Sequence, residues 1–205
     1  LRGRKEEIYM ELMNLLLKRR SVRNYTGDPV PREKLEAILE AGLSSASGRN
    51  RKPWELVVVS DRDILEKLSH CRTGAARMLE KAGCAILVFA DPEKTDVWTE
   101  DCSIVMSNMH LMAASLGLGS CWIQGRLRFA ENGESTEGFC RRLLGVPEEY
   151  ALEAILSVGI PAAVPEPHKP EELEKDKVHW ESWKSKTPQQ ATGHQTCSAA
   201  ELRGI

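Results

Sequence analysis

Residues Leu43 to Val59 read "LSSASGRNRKPWELVVV", and two textures meet within them. Ser44 to Gly48 are all small, the chemistry of a turn rather than of a helix or strand. Pro53 closes the basic stretch that follows. Glu55 to Val59 then form a short β-branched apolar run, ended by Asp61 and so read as a buried strand. Upstream, Leu35, Ile38, Leu39 and Gly42 share one face of a helix whose first position suits Pro31. Helix, small-residue loop and interior strand in that order predict an α+β fold: three layers, α-β-α, with a mixed, mainly antiparallel sheet of about four strands and helices on both faces.

The same alternation continues outward. Residues 5 to 19 place Ile8, Leu12, Leu15 and Leu16, with Met13 beside them, at helical spacing. Asp61 is placed to cap a short helix carrying Ile64, Leu65 and Leu68, and residues 75 to 82 read as another. "CAILVFA", Cys84 to Ala90, is a second interior strand. From Glu100 to Leu116 a long helix rich in small residues carries Val105, Met109 and Ala113 and stops at "GLGS". "CWIQG" reads as a third strand, residues 137 to 144 as a helix ended by Gly145-Val146-Pro147, and "LEAILSVGIP" as a fourth strand. Beyond Pro161 the chain turns to Pro, charge and small polar residues, too few apolar groups to close a core of their own. One domain over residues 5–165 with a C-terminal extension over 166–205 is expected, the extension ordered by lying on a partner subunit.

Composition excludes several classes. Charged residues at 28% and hydrophobic ones at 41%, with net charge −2, are ordinary for a globular protein and leave no domain-wide basic surface for nucleic acid. No apolar run has the roughly 18 residues of a membrane-spanning helix, and the opening "LRGRKEE" leads into no signal-peptide core, so a cytoplasmic setting is expected. Six cysteines are scattered without a C-x-x-C pair, and five histidines show no metal-ligand spacing, so no metal site is expected. There is no G-x-S-x-G elbow for hydrolysis. The Gly-x-Gly of "LGLGSCWIQG" precedes a strand, the reverse of a dinucleotide fingerprint.

One local charge feature stands out: "KRRSVRNY", Lys18 to Tyr25. Cations in a last helical turn complement the carbonyl end of the helix, so a solvated helix end is one reading. Ser21 and Arg23 lie beyond that turn, and guanidinium forks with a hydroxyl suit a phosphate, so an anion site is the other.

The Arg-Arg-Ser-x-Arg-x-aromatic stretch, "LEAILEAGLSSAS", the Gly-x-Asn-x-x-Pro-Trp turn, "LGLGSCWI" and "VGIPA", in order over residues 10 to 181, resemble the nitroreductase family of FMN-dependent oxidoreductases. The resemblance implies an intertwined homodimer with FMN at its interface. It implies a phosphate and ribityl grip at Arg19, Arg20, Ser21 and Arg23. It implies a loop at Ser45, Ala46, Ser47 and Asn50 that reaches the neighbour's flavin, and a flavin face along Trp122, Ile123, Gln124 and Gly125. A distal phosphate cation, after the Gly-x-Pro turn, would be His168 or Lys169. Where family members often carry Gln, two residues before the Trp, this chain has Lys52, which the desolvation cost of a buried lysine sends toward water. The implied activity is ping-pong oxidoreduction, with NADH or NADPH as donor and a nitroaromatic, quinone or similar small molecule as acceptor. No catalytic acid or base is needed. Reductive dehalogenation or flavin fragmentation would share this site, with "DPEKTDVW", Asp91 to Trp98, as a lid shaping the choice. A flavin-binding sensor or storage module without turnover is the alternative from another class.

Overall fold

The computed structural model describes residues 2–183. The chain divides into two compact units, Leu1–His168 and Lys169–Ile205. In the first unit helix α1 (Arg2–Lys18) leads to α2 (Arg32–Leu43), strand β1 (Trp54–Val59), α3 (Arg62–Leu68), β2 (Cys84–Ala90), α4 (Trp98–Ser115), β3 (Gly119–Gln124), α5 (Thr136–Leu144) and β4 (Ala151–Gly159). In the second unit single 3-10 turns at Pro170–Glu172 and Lys175–Lys177 precede a stacked His179–Trp183 pair, ring centroids 4.2 Å apart. Residues 184–205, most of the expected extension, lie outside the described residues.

The helix ends follow their capping chemistry. The Asp61 carboxylate accepts the Ile64 N–H at 3.0 Å, and the Ser135 hydroxyl accepts the Gly138 N–H at 3.0 Å. Gly145, at φ 69°, closes α5 in the left-handed conformation that a residue with a Cβ resists. Pro31 is the N-cap of α2 rather than its first residue. The helix expected over 75–82 is only a 3-10 turn, Arg77–Lys81. Gly74, at φ 70°, and Gly83, whose absent Cβ leaves room for Val30, stand at the two ends of the segment.

The strands form one sheet in the order β1-β2-β4-β3, every neighbouring pair antiparallel. A parallel bridge between Ser21 and Ser120 adds the mixed character at the β3 edge. On one face α2 and α4 bury Ile38, Val105, Met106 and Met109 against Ile86, Val88 and Leu156. On the other, α3 and α5 bury Leu65, Leu68 and Cys140 against Leu87, Phe89 and Ile155. With both faces covered, all seven residues of β2 are buried, which is why its sequence is apolar throughout rather than alternating. The three-layer α-β-α reading holds.

The expected apolar face of α1 is covered only in part, with Leu15 half-buried. Leu12 is 55% and Leu16 41% exposed, although the helix packs against α4. Among the described residues no helix is long and apolar enough to cross a membrane, and no group of His, Cys, Asp and Glu is arranged to hold a metal.

Candidate active site

The segment after α1 lies along the outer edge of β3. The Val22 N–H donates to the Ser120 carbonyl at 2.9 Å, and the Ala162 N–H donates to the Asn24 carbonyl at 3.0 Å. Two glycines permit this approach. A Cβ on Gly119 would lie 2.7 Å from Val22 Cγ1, and one on Gly159 2.8 Å from Tyr25 Cδ1. Tyr25 is buried, its hydroxyl donating to the Val22 carbonyl at 2.7 Å and lying 2.8 Å from Ser157 Oγ. Burial raises the Tyr25 phenol well above its ordinary value, against the opposing hydrogen bond to Ser157. The aromatic of the basic motif is therefore the peg that fixes the cations in front of it.

Arg19, Ser21 and Arg23 lie along the start of β3. Arg19 Nη1 donates to His110 Nε2 at 2.9 Å. Ser21 bridges to Ser120, the residue before the buried Cys121. Burial pushes the Cys121 thiol up, while Arg23, the Ser21 hydroxyl, Arg19 and Arg72 oppose the shift in that order. Arg19 thus reaches α4 on the Ser120 side of the strand, while Arg23 and Arg72 lie on the Cys121 side. Arg23 also lines a cavity of about 780 Å³ with Asn24, Tyr25, Arg72, Arg77, Lys81, Cys121 and Trp122. Arg20 takes another partner, donating to the Glu166 carbonyl.

Within β3 the chain alternates as a strand must. Ile123 is fully buried in the α3–α5 layer and Trp122 packs partly buried in the α2–α4 layer. Only the backbone of Ile123 is left for a ligand. Trp122 Nε1 donates to Gln124 Oε1 at 2.9 Å, and Gln124 Nε2 donates to the Glu153 carbonyl at 3.3 Å. Since the Ser120 carbonyl faces the outer edge, the backbone groups of Trp122 and Gln124 face it too. Among the described residues no strand pairs with them there. Gly125 has no room for a Cβ, which would stand 2.6 Å from Leu152 Cδ2.

The small-residue loop is elsewhere in the chain. Ser45 is buried and accepts from Asn108 Nδ2 at 2.9 Å, and the Gly48 N–H donates to Asp101 Oδ1 at 2.8 Å. Ser47 Oγ accepts the Lys52 N–H at 3.0 Å. Ala46, Asn50 and Lys52 are exposed, and Arg49, Asn50 and Lys52 all have positive φ. No hydrogen bond or ion pair among the described residues joins this loop to Arg19, Ser21 or Arg23. The loop leads into β1, which lies at the opposite edge of the sheet from β3, three strand spacings or about 14 Å away. Lys169 opens the second unit, its backbone N–H donating to the Glu172 carboxylate at 3.2 Å.

Sequence reasoning missed Arg72, Arg77, Lys81, His110 and Ser120. Arg72 follows a short helix with no local motif, and a lone His on an apolar helix reads as core; only the tertiary fold carries either to β3.

The nitroreductase family model matches residues 16–72 and 65–160. A relative from Archaeoglobus fulgidus, named "Putative NADH dehydrogenase/NAD(P)H nitroreductase", is 34% identical over 178 residues, covering 84% of this chain and 99% of the relative. The solved FMN-dependent nitroreductase of Clostridium difficile R20291 superposes with a TM-score of 0.81 at 41% identity, covering 83% of this chain and 99% of that one. A nitroreductase-type structure from Desulfovibrio desulfuricans, solved in complex with FMN, gives a TM-score of 0.67 at 25% identity over 84% of this chain and 97% of that one. With the family model spanning most of the chain and a relative 34% identical over 84% of it, the chain belongs to the nitroreductase family.

Proposed function

We propose that this protein is an FMN-dependent oxidoreductase that takes electrons from NADH or NADPH and passes them, by a ping-pong mechanism, to nitroaromatic, quinone or similar small acceptors. The observation that carries the reading is the basic segment of Arg19, Ser21 and Arg23 docked along the edge of β3, with Arg23 lining the 780 Å³ cavity. That volume falls in the range of about 300–1,000 Å³ typical of ligand pockets. The donor set fits the cofactor: a terminal phosphate needs several charge-assisted donors, and guanidinium groups with a hydroxyl supply them. FMN, when bound, supplies the hydride and electron chemistry. The chain's own residues bind and orient it. Arg19, Ser21 and Arg23 take the phosphate and ribityl end. The free backbone groups of Trp122 and Gln124, with Gly125 beyond them, meet the ring edge. Arg72 and Lys81 add positive charge to a cavity wall where Arg77 is paired with Glu80 and Glu131, which lowers the cost of negative charge on a bound redox ring.

A homodimer completes the site. One chain holds the cation cluster and the Ser45–Asn50 loop at opposite sheet edges, so a second copy's loop is needed over the first copy's cavity. The exposed apolar side chains Met10, Leu12 and Leu16 of α1 and Ile104 of α4 offer the surface for it. The extension beyond residue 165 lies on the partner in this reading. Five free, buried cysteines among the described residues suit a reducing, cytoplasmic setting.

Purified protein should be yellow and release FMN rather than FAD on heating, identified by chromatography. It should oxidise NADH or NADPH with a nitroaromatic and with a quinone in steady state. Colourless protein that takes up no added FMN would sink the reading, and bound flavin without turnover would leave a sensor or storage module in its place.

A further inference from the structure

We infer that His110 is a positioning residue that locks Arg19 and Ser120 into one donor array for an oxyanion. The inference rests on the flavin reading for the identity of that oxyanion, the phosphate of FMN.

His110 is on α4, 8% exposed, between Arg19 and the first turn of β3. A guanidinium has donors and no acceptor, so at 2.9 Å from Arg19 Nη1 the imidazole Nε2 must supply the lone pair. The ring hydrogen is therefore on Nδ1, which donates to Ser120 Oγ. The Ser120 hydroxyl, 2% exposed, is left with its own proton and no acceptor among the described residues. Every hydrogen bond in the line runs one way, from the Arg19 cation through His110 to Ser120, and such alignment strengthens the last donor.

Burial together with the Arg19 charge keeps the imidazole neutral, so it acts as a fixed coupler rather than a third cation. The arrangement also explains a costly choice. A buried polar side chain is retained in an otherwise apolar helix face only where its hydrogen bonds are met, and these two are. Arg19 without it would have a long, mobile side chain to order on binding; with it, that entropy is already spent. The Ser21–Ser120 bridge and the Val22 N–H to Ser120 carbonyl bond hold the array against the segment that carries Ser21 and Arg23.

The test compares FMN with riboflavin, which lacks the phosphate, on flavin-free protein. His110→Leu removes both hydrogen bonds; His110→Gln keeps an acceptor for Arg19 and a donor for Ser120. Losing one charge-assisted bond should weaken FMN roughly tenfold or more in His110→Leu. Riboflavin should change less than about twofold, because it makes no phosphate contact. His110→Gln should return FMN affinity to within about threefold of wild type, as a preserved donor and acceptor would. A nitrogen NMR spectrum should show the Nδ1–H tautomer. Equal weakening of FMN and riboflavin, unchanged FMN affinity, or an Nε2–H tautomer would each overturn the inference. If wild type binds neither flavin, the functional reading fails separately. Titration with inorganic phosphate then decides the array, which stands if wild type binds it and His110→Leu does not, and falls otherwise.

Discussion

At the scale of single residues, the energetics turn on which cations have a fixed task. Arg23 faces the cavity beside Cys121, whereas Lys52 is exposed in its loop. Removing one phosphate partner from a partly dry site costs about 2–4 kcal/mol, so Arg23→Ala should weaken FMN roughly 30- to 1000-fold. Lys52→Ala should stay within about twofold, as exposed charges do. Fluorescence titration of the flavin checks both, and an unchanged Arg23→Ala would return the basic run to a solvated helix end. His110 adds a pH signature. Burial, then the Arg19 charge, lowers it from an ordinary 6.5 to about 4. The unfolded chain therefore takes up the proton first as pH falls. The stability tied to the neutral imidazole is complete above pH 6.5 and is lost between 6.5 and about 4. The loss amounts to about 3 kcal/mol in total. Urea unfolding at pH 7 and at pH 4.5 should show this steeper fall in wild type than in His110→Gln, with the difference between the two isolating the imidazole from the carboxylates. Identical pH slopes would mean that His110 is ordinarily titrating.

At the scale of elements, the site exists because a coil segment is docked as an added edge to β3. Gly119 is the contact that permits it, since a Cβ there would meet Val22 Cγ1 at 2.7 Å and Val22 Cβ at 2.8 Å. The Val22 Cβ cannot rotate away. Gly119→Ala should therefore push residues 19–25 off the strand, costing about 1–3 kcal/mol by overpacking. It should weaken FMN as well, because Ser21 and Arg23 ride on the same segment. Val22→Ala in the same chain should recover part of both losses, since it removes the two γ-carbons but leaves the Cβ. Denaturant unfolding and flavin titration in parallel check this, and a stable Gly119→Ala protein with full FMN affinity would mean the segment is free to shift.

At the scale of the whole molecule, the two halves of the expected pocket are on opposite edges of one sheet. In the proposed dimer the uncovered apolar residues of α1 and α4, Leu12 at 55% and Leu16 at 41% exposure among them, are the surface that a second copy takes. Leu12→Glu with Leu16→Glu should give a monomer that has lost FMN at the same time, seen by light scattering and by absorbance in the flavin band. A monomer that keeps a full complement of FMN would show that the pocket needs one subunit only.

Local chemistry was enough for much of this protein. Apolar runs long enough for one element, capped by Asp61, Ser135 and Gly145, determine where α3, α5 and the four strands lie, because capping and burial act within a few residues. The same holds for the cluster Arg19, Ser21 and Arg23, whose members are adjacent in the chain. The 75–82 segment, between Gly74 and Gly83, forms only a 3-10 turn, a difference from α3 that its apolar spacing does not carry. Only the tertiary structure decided that Ile123 turns into the core while Trp122 faces the other layer, since strand parity depends on the pairing of β3 with β4. It alone brought Arg72 from the end of α3, and His110 from 91 residues beyond Arg19, to the same edge. Those contacts arise from sheet order and helix packing, and no spacing within the chain encodes a neighbour that far away.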